Sequence, residues 1–164
     1  LLWKGIFYYL LKNEQYQFLF GPVSISNSYT KKSKKILVDF IKDNFFDKEL
    51  SKLVNPRKEF KSKQKDPNFD YSDFQNSEII TIDNLIAEIE PNHFKTPILI
   101  KKYIKQNAKF IGFNIDPKFS FALDGFLVLN IKDLDSKMIN NLSKEIEDPQ
   151  LKNRIKKLWN EDVS

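Results

Sequence analysis

Apolar residues in this chain change their spacing several times, and each change marks an element. Over residues 1–12 they recur at helical intervals, with Leu2, Ile6, Tyr9 and Leu10 on one stripe and Trp3 and Phe7 beside it, so an amphipathic helix is expected. Asn13, Glu14 and Gln15 end it. Residues 18–26 then read Phe-Leu-Phe-Gly-Pro-Val-Ser-Ile-Ser. The run Phe18, Leu19 and Phe20 predicts a short buried strand that breaks at Gly21-Pro22 and resumes as an alternation. Val23 and Ile25 then share one face, and Ser24 and Ser26 the other. Proline removes a ladder donor and glycine permits close backbone approach, so normal pairing on both sides is not expected throughout. Such a strand either lines a groove or is a plain bulged or edge strand.

A polar turn at 27–30 offers Ser28 and Thr30 as helix caps. A second helix follows to about residue 44, with Ile36, Leu37, Phe40 and Ile41 inward and its lysines outward. Strand, turn and helix in that order predict an α/β unit. From 45 to 77 the pattern weakens to a short helix over 47–54 and an irregular, lysine-rich excursion over 56–67. Order returns with a helix over 82–90, capped by Thr81, buried through Leu85, Ile86 and Ile89, and ended by Pro91. Pro97 opens a further helix to about 106, with Leu99, Ile100, Tyr103 and Ile104 apolar. Strands over 108–115 and 125–131 follow, joined by a broad hairpin or a crossover. A helix capped by Asp135 runs to about 147, and another runs from Pro149 to near Trp159.

Composition removes several chemistries. With no cysteine there are no disulfides, thiolate nucleophiles or zinc-finger spacings. Four glycines in 164 residues supply no dinucleotide or phosphate-loop motif. One histidine with scattered carboxylates supplies no convergent metal set. No apolar run approaches the length of a membrane span, and no signal peptide is visible. The chain opens inside a helical pattern with no cap and no initiator Met, so it reads as the C-terminal piece of a longer protein. The net charge of +5 is uneven: residues 31–65 hold twelve Lys or Arg against five Asp or Glu. That balance suits an anionic lipid surface, an acidic carrier protein or nucleic acid, or is simply a solvated face.

Side-chain chemistry alone leaves pairs of alternatives. His93 is a general base or a capping or surface histidine. Ser24 and Ser26 are strand hydroxyls with no histidine spaced to activate them. Tyr29 is a proton donor or a turn tyrosine on the core. Asp116 and Asp124 position a substrate amine or make turn and cap hydrogen bonds. Phe60 and Phe69 give thin support for nucleic acid.

Three stretches carry a resemblance when taken together. They are Leu-Leu-Trp-Lys-Gly-Ile over 1–6; Phe-Leu-Phe-Gly-Pro-Val-Ser-Ile-Ser-Asn-Ser-Tyr over 18–29; and Pro-Ile-Leu-Ile-Lys-Lys-Tyr over 97–103. The last is followed by Ala-Lys-Phe-Ile-Gly-Phe-Asn-Ile-Asp-Pro over 108–117 and Ala-Leu-Asp-Gly over 122–125. This order resembles the C-terminal half of the GNAT-like N-acyltransferases, within the hemolysin-like group related to ornithine- and glycine-lipid synthases. Some members carry a lysophospholipid acyltransferase domain ahead of the module.

The resemblance implies a mixed central sheet with helices on both faces, two parallel strands splaying to admit the donor's pantetheine arm, and C-terminal helices. It places the acyltransferase part over 1–131, with a basic excursion near 47–77, and a helical extension over 132–164. The implied reaction moves a long fatty acyl group from acyl carrier protein or a coenzyme A thioester, as co-substrate, to a small amine acceptor in membrane lipid synthesis. No permanently bound cofactor or metal is implied. Phe20, Gly21 and Val23 would wall the groove, Ser24 and Ser26 would contact the thioester region, and Asp116 and Asp124 would meet the acceptor. Tyr29 and Ser24 would be catalytic, and Lys31, Lys32, Lys34 and Lys35 would meet the carrier protein or an anionic membrane. The family's donor loop would lie upstream of Leu1, so the chain alone is expected to be inactive, and the location implied is cytoplasmic, peripheral at the inner membrane. Two rival readings are a non-catalytic basic module docking on lipid or carrier protein, and a small nucleic-acid-binding domain.

Overall fold

Helical spacing near the N-terminus forms α1 (Leu2–Lys12), but its buried edge is Phe7, Leu10 and Leu11. Tyr9, expected on the inner stripe, faces solvent. An i, i+3, i+4 set fixes one face, and here that face is turned one position from the expected one. The structure, a computed structural model, describes residues 2–61, 74 and 77–159. The excursion beyond residue 61, Phe69 included, lies outside the described residues. The protein is a mixed α/β chain with six helices and a three-stranded antiparallel sheet among those residues.

The chain divides into two compact units, residues 1–19 with 129–164 and residues 20–128. In the first, α1 packs on α6 (Pro149–Trp159), with the Phe7 and Trp159 rings 5.7 Å apart. Leu151 and Ile155 bury the facing side of α6, and α5 (Ser136–Lys144) precedes it. Lys4 pairs with Glu145 at 2.6 Å and Arg154 with Glu14 at 2.9 Å. The backbone carbonyl of Gln17 accepts from the Ile131 amide at 2.9 Å. The first helix thus groups with the C-terminal helices.

The second unit holds most of β1 (Phe18–Ile25), then α2 (Lys31–Asn44), α3 (Ile79–Ile89), α4 (Ile98–Lys105), β2 (Lys109–Asp116) and most of β3 (Ala122–Asn130). The strand order is β1-β3-β2. β2 and β3 form a hairpin running from Lys109 opposite Val128 to Asp116 opposite Ala122, with an irregularity between Phe110 and Gly112. β3 begins three residues before the expected start, because Ala122 and Leu123 are buried partners of β2. β1 runs unbroken through Gly21-Pro22, which corrects the expected interruption. Pro22 is tolerated because β1 lies at the sheet edge and needs a donor on one side only. Phe18 and Phe20 are exposed and not buried, whereas Val23 and Ile25 are buried as the alternation requires.

All four core positions expected on α2 are buried. Thr30 caps this helix by accepting from the Ser33 amide at 3.2 Å, as expected. Thr30→Ala is expected to cost about 1–2 kcal/mol, at the upper end for a cap because the hydroxyl also bonds Glu90, and a urea titration reads it directly. α3 starts at Ile79, before Thr81, with Glu78 at its cap position; its buried side is Ile82, Asp83 and Ile86. The 47–54 segment forms only a 3₁₀ turn, Leu50–Leu53. α4 ends in a Schellman motif: Asn107 is left-handed (φ 62°), its amide donates to Ile104 and that of Ala108 donates to Tyr103. No helix among the described residues is long and apolar enough to cross a membrane.

Candidate functional site

β-strand alternation puts Val23, Ile25, Leu123 and Leu127 on the buried side of the sheet. The opposite side carries Phe20, Pro22 and Ser24 of β1, Asp124 and Phe126 of β3, and Gly112 and Asn114 of β2. Residues 58–60 pair along β2 rather than forming a free excursion, and residues 54–57 line a cleft on this side. The Ile115 amide donates to the Lys58 carbonyl at 2.8 Å, the Phe60 amide to Phe113 at 3.2 Å, and Asn114 Oδ1 accepts from the Lys58 amide at 2.9 Å. Between that segment and the sheet opens a cleft of about 390 Å³, walled by Pro22, Val54, Gly112 and Phe126. Arg57 and Asp124 are its charged groups.

A second cleft, about 540 Å³, is lined by Ser24, Tyr29, Thr96, Ile98 and Leu99. Ser24 Oγ donates to Asp124 Oδ1 at 2.6 Å, so a single hydrogen bond links the walls of the two clefts. A carboxylate that already accepts from a serine keeps an oxygen for an ammonium or amide donor. It does not convert the serine into a nucleophile in the manner of an imidazole base.

Several expected site residues are elsewhere. Val23 is 3 % exposed on the buried face and cannot wall an open groove. Ser26 is taken up locally, donating to Ser28 Oγ at 3.0 Å and accepting from the Ser28 amide at 3.1 Å. Asp116 accepts from the Lys118 amide at 2.8 Å and staples the hairpin loop. Phe20, 74 % exposed, stands edge-on to Phe126 at 6.2 Å, and a Cβ on Gly21 would have open space around it. His93 places Nδ1 3.0 Å from the Ala87 carbonyl, at the end of α3. That is the capping arrangement, and it does not meet Ser24 or Asp124.

Tyr29 reaches the second cleft, but its hydroxyl donates to the Lys95 carbonyl at 2.7 Å and its ring lies 5.3 Å from Phe94. Burial, with the Glu90 and Asp83 charges, raises its phenol above the ordinary value. Both effects work against proton donation. The lysine cluster also divides. Lys31 and Lys32 are exposed, whereas Lys34 is 5 % exposed and Lys35 pairs with Asp39. Lys34 shares the helix face of Leu37, Val38 and Ile41, so its stem is buried and Nζ turns back to Asn27 Oδ1 at 2.7 Å. Burial lowers its pKa, against the opposing charge of Glu90. The expectation that these four lysines form one outward surface is therefore corrected.

Two buried carboxylates had no counterpart among the expected site residues. Glu90 accepts from the Thr30 amide at 2.8 Å and from its hydroxyl at 2.9 Å. Asp83 accepts from the Thr96 amide at 3.1 Å and pairs with Lys101 at 2.7 Å. Arg57 and Phe126 had no counterpart there either; the proline at 56 makes that stretch look irregular, and nothing local shows that the residues after it pair with β2. Among the described residues no group of three His, Asp or Glu could hold a metal ion.

Fold and clefts together define a mixed α/β protein with an open, partly apolar sheet face. Comparison with protein-family models, with curated proteins and with solved structures finds no match.

Proposed function

We propose that this chain carries the acyl-groove side of a GNAT-like N-acyltransferase. The enzyme would move a long fatty acyl group from acyl carrier protein or a coenzyme A thioester to a small amine in lipid synthesis, at the cytoplasmic surface of the inner membrane. The observation that carries this reading is the edge strand β1, with Gly21-Pro22 on its rim and Ser24 bonded to Asp124 between two clefts. A parallel partner on the outer edge of β1 would diverge from it at the proline, where no ladder donor exists. An acyl chain would lie against Phe20, Pro22 and Phe126. The free oxygen of Asp124 would accept a hydrogen bond from the acceptor amine. The amine nitrogen then forms the amide bond at the thioester carbonyl, the carbon–sulfur bond breaks, and the amine proton passes to solvent or the departing thiolate.

Titrating the full-length protein with long-chain acyl carrier protein and with acyl-CoA tests this. Gly21→Val should leave the fold intact, because a Cβ there meets nothing within 4 Å, yet weaken thioester binding at least about tenfold. Asp124→Asn should spare donor binding and lower turnover with the amine. Equal thioester binding by wild type and Gly21→Val, or none by either, overturns the reading.

A further inference from the structure

The β2–β3 loop carries two aromatic side chains that are largely exposed. Residues 117–121 are all exposed, with Phe119 at 64 % and Phe121 at 52 %. The backbone beneath them is closely held. The Phe119 amide donates to the Asp116 carbonyl at 3.2 Å, the Ala122 amide to the Phe119 carbonyl at 2.9 Å, and the Lys118 amide to Asp116 Oδ1 at 2.8 Å. Ser120 and Phe121 both lie in the left-handed region, at φ 50° and 56°. Glycine would suit either position better, and an aromatic residue at left-handed φ is uncommon. Both phenylalanines nonetheless keep more than half of their surface in solvent.

A cation lies beside one of the rings, and others are close to it in the chain. Lys58 Nζ sits 5.3 Å from the centroid of Phe121. Arg57 and Lys61 flank Lys58 on the segment that pairs with β2, and Lys118 is on the loop itself. Against these four stand Glu59, 3.9 Å from Lys61, and Asp116, occupied by the turn. The balance is positive.

We propose that this hairpin tip inserts into the surface of an anionic lipid bilayer, with Phe119 and Phe121 at the headgroup–acyl boundary and Lys58, Arg57 and Lys118 at the level of lipid phosphates. Exposed aromatics on a closely hydrogen-bonded turn, with basic residues on the turn and on the segment beside it, match the two components of interfacial binding, apolar burial and attraction to anionic headgroups. A single-stranded nucleic acid fits less well. It needs several rings spaced along a groove for successive bases, and the tip offers two on one five-residue turn. This proposal stands on the hairpin alone and does not depend on the acyl groove.

The chain has no cysteine, so Ser120→Cys gives one site for an environment-sensitive dye within these 164 residues. Vesicles of phosphatidylcholine with about 30 % phosphatidylglycerol should bind the protein and shift the dye emission to the blue; pure phosphatidylcholine should bind at least about tenfold more weakly. Phe119→Ser/Phe121→Ser should lose about tenfold or more in partition to the anionic vesicles. Phe121→Gly should lose binding while raising the melting temperature, which separates insertion from damage to the fold. Vesicle binding with no dye shift, binding unchanged in the double variant, no vesicle binding, or tighter binding of a single-stranded oligonucleotide than of vesicles would each overturn the proposal.

Discussion

Gly125→Val is expected to cost at least about 3 kcal/mol, moving the folding equilibrium by more than a hundredfold. A Cβ at this position would stand 2.7 Å from Phe110 Cε1, 3.0 Å from Phe110 Cδ1 and 3.3 Å from Phe113 Cε1. The first separation is far inside van der Waals contact. Phe110 is fully buried and lies parallel to Phe113 with centroids 5.8 Å apart, so its ring has no free space to swing into. Relief must come from β3 moving against β2, at the register pair of Phe113 with Gly125. No described glycine has positive φ, so the requirement at 125 is for space and not for an unusual backbone conformation. Gly125→Ala should therefore cost about 1–3 kcal/mol, the range for overpacking a filled core. Trimming the obstructing ring offers a check. Phe110→Leu loses buried area by itself, but combined with Gly125→Ala the two penalties should sum to less than their parts, a favourable coupling in a double-mutant cycle. Urea titrations of the four proteins measure it. Strict additivity would mean that the ring of Phe110 is not what excludes a side chain at 125.

That clash also shows what could and could not be read from the chain. Period-two and period-3.6 spacing located β1, α2 and the β2–β3 pair, and Thr30 announced its own helix through a local hydroxyl-to-amide bond. These are near-neighbour effects that the sequence displays. Which face of the sheet is covered is not such an effect. Phe18 and Phe20 looked buried because three apolar residues ran together, yet the outer side of β1 carries them into solvent. Tyr9 faces solvent for a different reason: helical periodicity gives a stripe's width more firmly than its direction.

The site was legible residue by residue but not as an arrangement. Ser24 attracted notice as a strand hydroxyl and Asp124 as a turn carboxylate. Their 2.6 Å hydrogen bond spans 100 positions and depends on β1 choosing β3 as its neighbour. Lys34 illustrates the converse. A lysine in a charged run is normally solvated, but one at i−3 and i−4 to Leu37 and Val38 follows them inward once α2 docks. Arg57 stayed hidden because its segment pairs with a strand some fifty residues away.

Acid should unfold the second unit through Glu90 and Asp83. Burial alone would raise both carboxyls. At Glu90, hydrogen bonds from Ser33 and from the amide and hydroxyl of Thr30, with the charge of Lys34, outweigh it and hold the group below its ordinary value of 4.5. At Asp83, Lys101 and Thr96 do the same against an ordinary value of 3.8. The folded protein therefore binds protons more weakly than the unfolded chain at both positions. Their stabilisation is complete above the unfolded carboxylate values and is lost as the pH falls through the depressed folded ones. Urea midpoints should be level from about pH 7 to 5 and drop steeply below about 4. Glu90→Gln should lower the plateau and flatten part of the acid limb, leaving the share that belongs to Asp83. Glu90→Ala should cost about 3 kcal/mol at neutral pH, since it strands buried donors and removes an anion that favours the charged form of the buried Lys34. Because Thr30 meets the same carboxylate, Thr30→Ala should cost less in the Glu90→Ala background than in the wild type. An acid limb of undiminished steepness in Glu90→Gln would assign the transition to other carboxylates.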